Sequence, residues 1–147
     1  MIFDEAFYRK MATQKWRQQD YKKAAEYYEK VLELSPKDFD IQQHYAQCLV
    51  KLNIGKKAER LFYENIVKDF HVAESFYELS QLNIELNEPN KAFLFGINYV
   101  ILSEDKDFRE MLEKTFEVAY TNEQKIELEA QLFSTQLLFQ FLFSQGR

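Results

Sequence analysis

Three alanines, Ala24, Ala58 and Ala92, recur at intervals of 34 residues, and the surroundings of each recur with it. Upstream, at the same interval, stand the small residues Ala12, Ala46 and Ser80, preceded by Met11, Tyr45 and Leu79, with Tyr8, Gln42 and Phe76 earlier still. A period of this length with small residues at fixed places is the signature of stacked helical hairpins. Where two helices cross closely the side chains must be small, and large ones must fill the grooves beside the crossing. The period therefore predicts an all-α chain built as an array of antiparallel helix hairpins. Such arrays present extended concave surfaces and seldom carry a catalytic centre.

Composition agrees. The 147 residues suffice for a sizeable core, and 46% hydrophobic with 29% charged residues reads as a soluble, folded chain. Three Gly and two Pro are too few for an all-β protein with many tight turns. Abundant Glu, Lys, Gln, Leu and Ala favour helix. A net charge of −5 argues against broad nucleic-acid binding. The single cysteine, Cys48, excludes an intramolecular disulfide and falls among Tyr45, Leu49 and Leu52, which predicts a buried thiol. The opening MIFDEAFYRK has no cationic n-region and no long apolar core, so no secretory signal is expected and the chain is placed in the cytoplasm. The most apolar stretch, Leu132 to Phe143, spans 12 residues with Ser134, Thr135, Gln136 and Gln140 among them. A transmembrane helix needs about 20 apolar residues, so no membrane span is predicted.

Along the chain the first hairpin is predicted from Asp4 to Pro36, with Tyr21, Ala24, Ala25, Tyr28, Val31 and Leu32 on the apolar face of its second helix. Asp20 is placed to cap that helix, Pro36 to end it, and Glu26 to pair with Lys30 four residues on. The second hairpin spans Phe39 to Phe70, with a turn at Asn53-Ile54-Gly55 whose torsional freedom is assigned to the glycine. The third spans Ala73 to Leu102, with Pro89 in the first turn of its second helix. Gly96 inside that helix costs about 1 kcal/mol relative to Ala, which predicts a close helix crossing there. Phe108, Met111, Leu112, Phe116 and Val118 predict one further helix ending near Tyr120. Thr121 and Gln124 then form a capping box for a long last helix reaching about Ser144, giving seven to nine helices in one continuous array.

The stretch DYKKAAEYYEKVLELSP resembles the second helix and closing proline of the tetratricopeptide repeat. The resemblance covers residues 5–106 as three contiguous units, about 5–38, 39–72 and 73–106, with 107–147 a C-terminal helical extension or the start of further repeats. The chain departs from the family pattern at Lys15, where the family has an apolar or aromatic residue and Trp16 comes one place late. Asn65 and Tyr99 stand where it prefers alanine, and Phe70 and Glu104 replace its closing proline. The resemblance implies a right-handed superhelix whose first helices line an inner groove that holds a peptide or protein segment.

On that expectation the first unit offers Arg9, Lys10, Thr13 and Arg17, the second Gln43, His44, Gln47 and Lys51, and the third Glu74, Tyr77, Glu78, Gln81 and Glu85. The surface is graded in charge. Residues 1–38 carry eight Lys/Arg against seven Asp/Glu, whereas residues 73–106 carry two against six. One branch of the family grips chaperone C-terminal carboxylates with a Lys/Asn/Asn/Lys/Arg set, which would fall here on Arg9, Thr13, His44, Glu74 and Glu78. Two glutamates in place of cations would repel a carboxylate, at a cost of several kcal/mol. A basic or amphipathic segment at Glu74, Tyr77, Glu78 and Glu85 is the better expectation; the plainer alternative is a solvated helix face.

No reaction chemistry is expected. His44 and His71 stand alone, without the convergent ligands of a metal site. No Gly-rich phosphate loop, nucleophile elbow or HExxH motif is present. The chain is thus predicted to be a non-enzymatic adaptor or scaffold without cofactor. Its last helix is a separate matter. Leu132, Phe133, Leu137, Leu138, Phe139, Phe141, Leu142 and Phe143 cover nearly every side of it, as in a helix buried all round. Either the array continues past Arg147, as in a sensor region of a longer protein, or residues 126–143 associate with another copy through Leu132, Phe133, Leu137, Phe139, Phe141 and Phe143.

Overall fold

A computed structural model describes residues 3–116 and 123–145, and the described residues form eight α-helices without a strand. The described residues gather into two compact units, those within Met1–His71 and those within Val72–Arg147. The expected helix end near Tyr120, with Val118 in it, and the cap at Thr121 lie outside the described residues.

The first unit holds α1 (Glu5–Arg17), α2 (Tyr21–Leu34), α3 (Phe39–Lys51) and α4 (Gly55–Val67), each packed on its neighbour in sequence. The second holds α5 (Val72–Glu85), α6 (Pro89–Ser103), α7 (Lys106–Phe116) and α8 (Glu123–Gln145); α6 touches all three others. The repeat is literal, for α2, α4 and α6 begin at Tyr21, Gly55 and Pro89, one period apart. All six small residues of the register, Ala12, Ala24, Ala46, Ala58, Ser80 and Ala92, are fully buried. Where serine replaces alanine, the Ser80 hydroxyl donates to the Ala92 carbonyl at 2.8 Å and so ties α5 to α6.

The helix ends repeat as well. The carboxylates of Asp4 and Asp38 accept from the Phe7 and Ile41 N–H groups at 3.0 and 3.1 Å, and Asp20 accepts from Lys23 at 3.2 Å. Each hairpin turn contains one left-handed residue, Gln19, Asn53 or Asn87, with φ of 60°, 61° and 57°. The next N–H then donates five residues back, from Asp20 to Lys15, Ile54 to Leu49 and Glu88 to Asn83. Torsional freedom expected of Gly55 thus belongs to Asn53. No glycine among the described residues has positive φ, and Gly55 simply opens α4. Asparagine enters the left-handed region readily because its short polar side chain bonds locally. On the solvent side of α2, Lys30 pairs at 3.7 Å with Glu33 rather than with Glu26.

Two buried polar knots were not foreseen. Asn65, at a place where alanine was expected, is fully buried and donates to the Phe39 carbonyl at 3.1 Å and to Gln43 Oε1 at 2.8 Å. It also accepts from Gln42 Nε2 at 3.0 Å. In the second unit Asn98 Nδ2 donates to the Ala130 carbonyl at 3.0 Å, and Ser134 Oγ lies 3.3 Å from Asn98 Oδ1. That knot fixes α8 against α6. Gly96 marks the crossing it was expected to mark: a Cβ there would lie 2.7 and 2.8 Å from the Leu112 methyls and 3.0 Å from Ser80 Oγ.

The last helix is not buried all round. Ala130 and Ser134 are buried, Ile126, Phe133, Leu137 and Phe141 in the same register are half-buried, and Phe133 meets Phe95 of α6 edge-on at 5.6 Å. Leu128, Leu132, Phe139, Leu142 and Phe143 lie exposed on the other side. A sequence that reads as uniformly apolar is thus two stripes facing opposite ways, of which one is used within the unit.

Candidate functional site

In the first unit an open hollow of about 770 Å³ runs along α1, lined by Arg9, Lys10, Thr13, Gln14, Arg17 and Gln18. Gln14 and Gln18 were not among the expected residues, although they follow Lys10 at intervals of four and belong to its face. Arg9 was expected to display a free cation, and here the structure differs. Its guanidinium bonds Glu5 at 2.8 Å and also Asp38, while Ser35 Oγ donates to Glu5 at 2.6 Å. Hydrogen bonds to Asp38 and Glu5 raise the pKa of Arg9. Bonds from Ser35 and then Arg9 lower that of Glu5. Burial pushes the Asp38 carboxyl up, but the bonds from Arg9 and the Ile41 N–H outweigh it, and its net shift is downward. Arg9 thus fastens the start of α1 to the start of α3, leaving Lys10 and Arg17 as the exposed cations of the hollow. Thr13 is exposed, with its hydroxyl bonded to the Arg9 carbonyl at 3.0 Å.

On α3 the expected four residues separate. Gln43 is only 3% exposed, because the buried Asn65 amide needs an acceptor and draws Gln43 inward. It displays nothing. His44 is exposed and lies nearly parallel to the Tyr28 ring, with centroids 6.0 Å apart. Gln47 is half-buried, and Lys51 is exposed with Nζ 6.0 Å from the Tyr21 ring centre. Cys48 is fully buried, as its neighbours predict, and burial pushes its thiol up to about 12. A thiol so raised is inert as a nucleophile.

In the second unit Glu74, Tyr77, Glu78, Gln81 and Glu85 make one stripe along α5, at steps of three and four residues. Glu74, Tyr77 and Glu85 are exposed; Glu78 and Gln81 are half-buried. Tyr77 forms a ring cluster with Tyr99 and Phe108, at 5.3 Å from each, and these two meet edge-on at 4.9 Å. The Tyr99 hydroxyl in turn donates to Asp105 at 3.0 Å. Tyr77 is therefore held in place by α6 and α7, with one edge left to solvent. The sequence from Val72 to Glu85 contains no Lys or Arg, so the stripe's carboxylates share their helix with no cation; Glu74 and Glu78 lie within a turn of Tyr77 and Glu85 about two turns further on.

Among the described residues no three His, Cys, Asp or Glu converge as metal ligands would, and no helix is long and apolar enough to cross a membrane. The family description of the tetratricopeptide repeat matches residues 15–62, which takes in the end of α1, all of α2 and α3, and the first part of α4. The crystal structure of MamA protein is similar in fold, with a TM-score of 0.67 at 19% sequence identity over 92% of this chain and 74% of that one. No curated protein matches the chain in sequence. Residues 15–62 thus match the tetratricopeptide repeat, and the chain shares its helical fold with MamA.

Proposed function

We propose that this chain is a non-catalytic, cytoplasmic adaptor that holds a protein or peptide segment on the polar faces of its first helices, needing no cofactor. The observation that carries the reading is the α5 stripe, in which the exposed Glu74 and Glu85 share a face with a braced Tyr77 on a helix without Lys or Arg. A rigid aromatic edge among carboxylates suits a basic or amphipathic segment. Lysine or arginine supplies the charge, and its alkyl stem or a neighbouring apolar residue covers the ring. In the first unit, Lys10 and Arg17 of α1 with Lys51 of α3 offer the opposite charge, suited to an acidic stretch, and His44 adds a polar ring. The α5 stripe disfavours a carboxylate clamp, whose cations would have to stand at Glu74 and Glu78.

Selection from a displayed random-peptide library tests the reading. The native chain is expected to enrich peptides rich in Lys or Arg with an interspersed apolar residue. The double variant Glu74→Lys/Glu78→Lys is expected to lose them, with affinity falling on the order of a hundredfold. Selected peptides that bind both chains equally would refute the acidic-face reading.

A further inference from the structure

We infer that α8 pairs with α8 of a second copy of this chain, antiparallel, through the stripe that faces away from α6. The exposed residues Leu128, Leu132, Thr135, Phe139 and Leu142 succeed one another at steps of four, three, four and three. That is the spacing of a coiled-coil seam, and it runs about 21 Å along the helix. The buried stripe through Ala130 and Ser134 lies on the other side, so the seam is additional to the packing on α6 and does not compete with it.

Area and charge both select the occupant. Phe139 is 62% exposed, Leu132 and Phe143 60%, Leu128 56% and Leu142 47%. Together they leave roughly 600 Å² of apolar surface in water, at the upper end of what a monomer shows and close to one partner's share of a standard interface once flanking glutamine stems are added. Seams that choose a different chain do so by charges beside the apolar positions. From Ala130 to Gln145 this helix has none, and the flanking places hold Gln131, Gln136 and Leu138. From Leu132 to Leu142 the seam has no charge to match on a foreign helix, and its neutral glutamines suit a copy of themselves.

Charge also sets the direction. Glu127 and Glu129 outnumber Lys125 at one end of α8, where Glu123 is paired with Arg109 at 2.7 Å, and a parallel pair would bring four more carboxylates together with two lysines. An antiparallel pair about Thr135 separates them. It sets Leu132 against Phe139 of the second copy, and Leu128 against the shallow hollow lined by Phe139, Gln140, Phe143 and Ser144.

Light scattering on the full chain, with and without Leu132→Glu/Phe139→Glu, tests the proposal. Both residues are exposed, so the variant keeps its helical circular dichroism, and its thermal midpoint falls only to that of the native chain diluted until the dimer dissociates. The native chain is expected to scatter at about twice 17.7 kDa, and the variant at the single mass, with dimer formation weakened on the order of a hundredfold. A native chain that stays monomeric at every soluble concentration overturns the proposal, whatever else the stripe then binds. So does a dimer indifferent to the two charges. Orientation is read by oxidising Leu132→Cys, which cross-links to itself only in a parallel pair, and a mixture of Leu132→Cys with Phe139→Cys, which cross-links in the antiparallel one. Self-linkage of Leu132→Cys refutes the direction.

Discussion

Gly96 shows how much one side chain can decide. Alanine there gains about 1 kcal/mol of helix propensity, yet its Cβ would press on both Leu112 methyls. Leu112 is fully buried among Ile97, Phe108 and Ala130, so its methyls have little room to retreat. Overpacking of this kind costs about 1–3 kcal/mol, and Gly96→Ala is expected to lose about 1 kcal/mol net in urea unfolding. At the other end of the chain, Asp38 has a depressed pKa, so it stabilises the fold at pH values above its ordinary 3.8. That contribution is lost as pH falls through the lower, folded-state value. Asp38→Asn can still cap α3 but gives up the charge facing Arg9. It should lower stability at neutral pH by about 0.5–1 kcal/mol, with a difference from the native chain that shrinks in acid-unfolding curves as pH drops below 3.8.

Among the elements, the hairpin ends and crossings were legible because they depend on backbone geometry that repeats. Small residues mark crossings, Pro89 opens α6, and Asp20 caps α2. The turns at Asn53 and Asn87 carry the residue that enters the left-handed region readily, whereas Gln19 at the same place gives no such sign, and the nearby Gly55 drew the torsional freedom away from Asn53. Polar residues in the core were illegible for another reason. Asn65 and Gln43 look like surface residues one at a time, and only their contact across α3 and α4 makes either one internal. The same contact removed Gln43 from the expected binding face. Asn65→Ala restores the residue the repeat prefers but leaves Gln42 and Gln43 with buried amides short of a partner. A loss of about 1–3 kcal/mol is expected, measured by chemical denaturation, and a gain in stability would show that the knot is dispensable.

For the molecule as a whole, periodicity specifies a scaffold and says little about what it carries. The binding faces are read from the residues the period leaves free to vary, and these differ between the units. Arg9 shows the limit of that reading, since a cation on the right face of α1 turned out to be occupied by Glu5 and Asp38. Tyr77 keeps an edge to solvent, with its ring fixed by Tyr99 and Phe108. The uniform apolarity of α8 hid two stripes, because helical direction is set by the partner that covers one of them. Chemical-shift mapping of the chain with a Lys-rich amphipathic peptide bears most directly on the adaptor reading. Shifts are predicted to concentrate on the α5 amides from Glu74 to Glu85; shifts confined to α8, or none at saturating peptide, would contradict it.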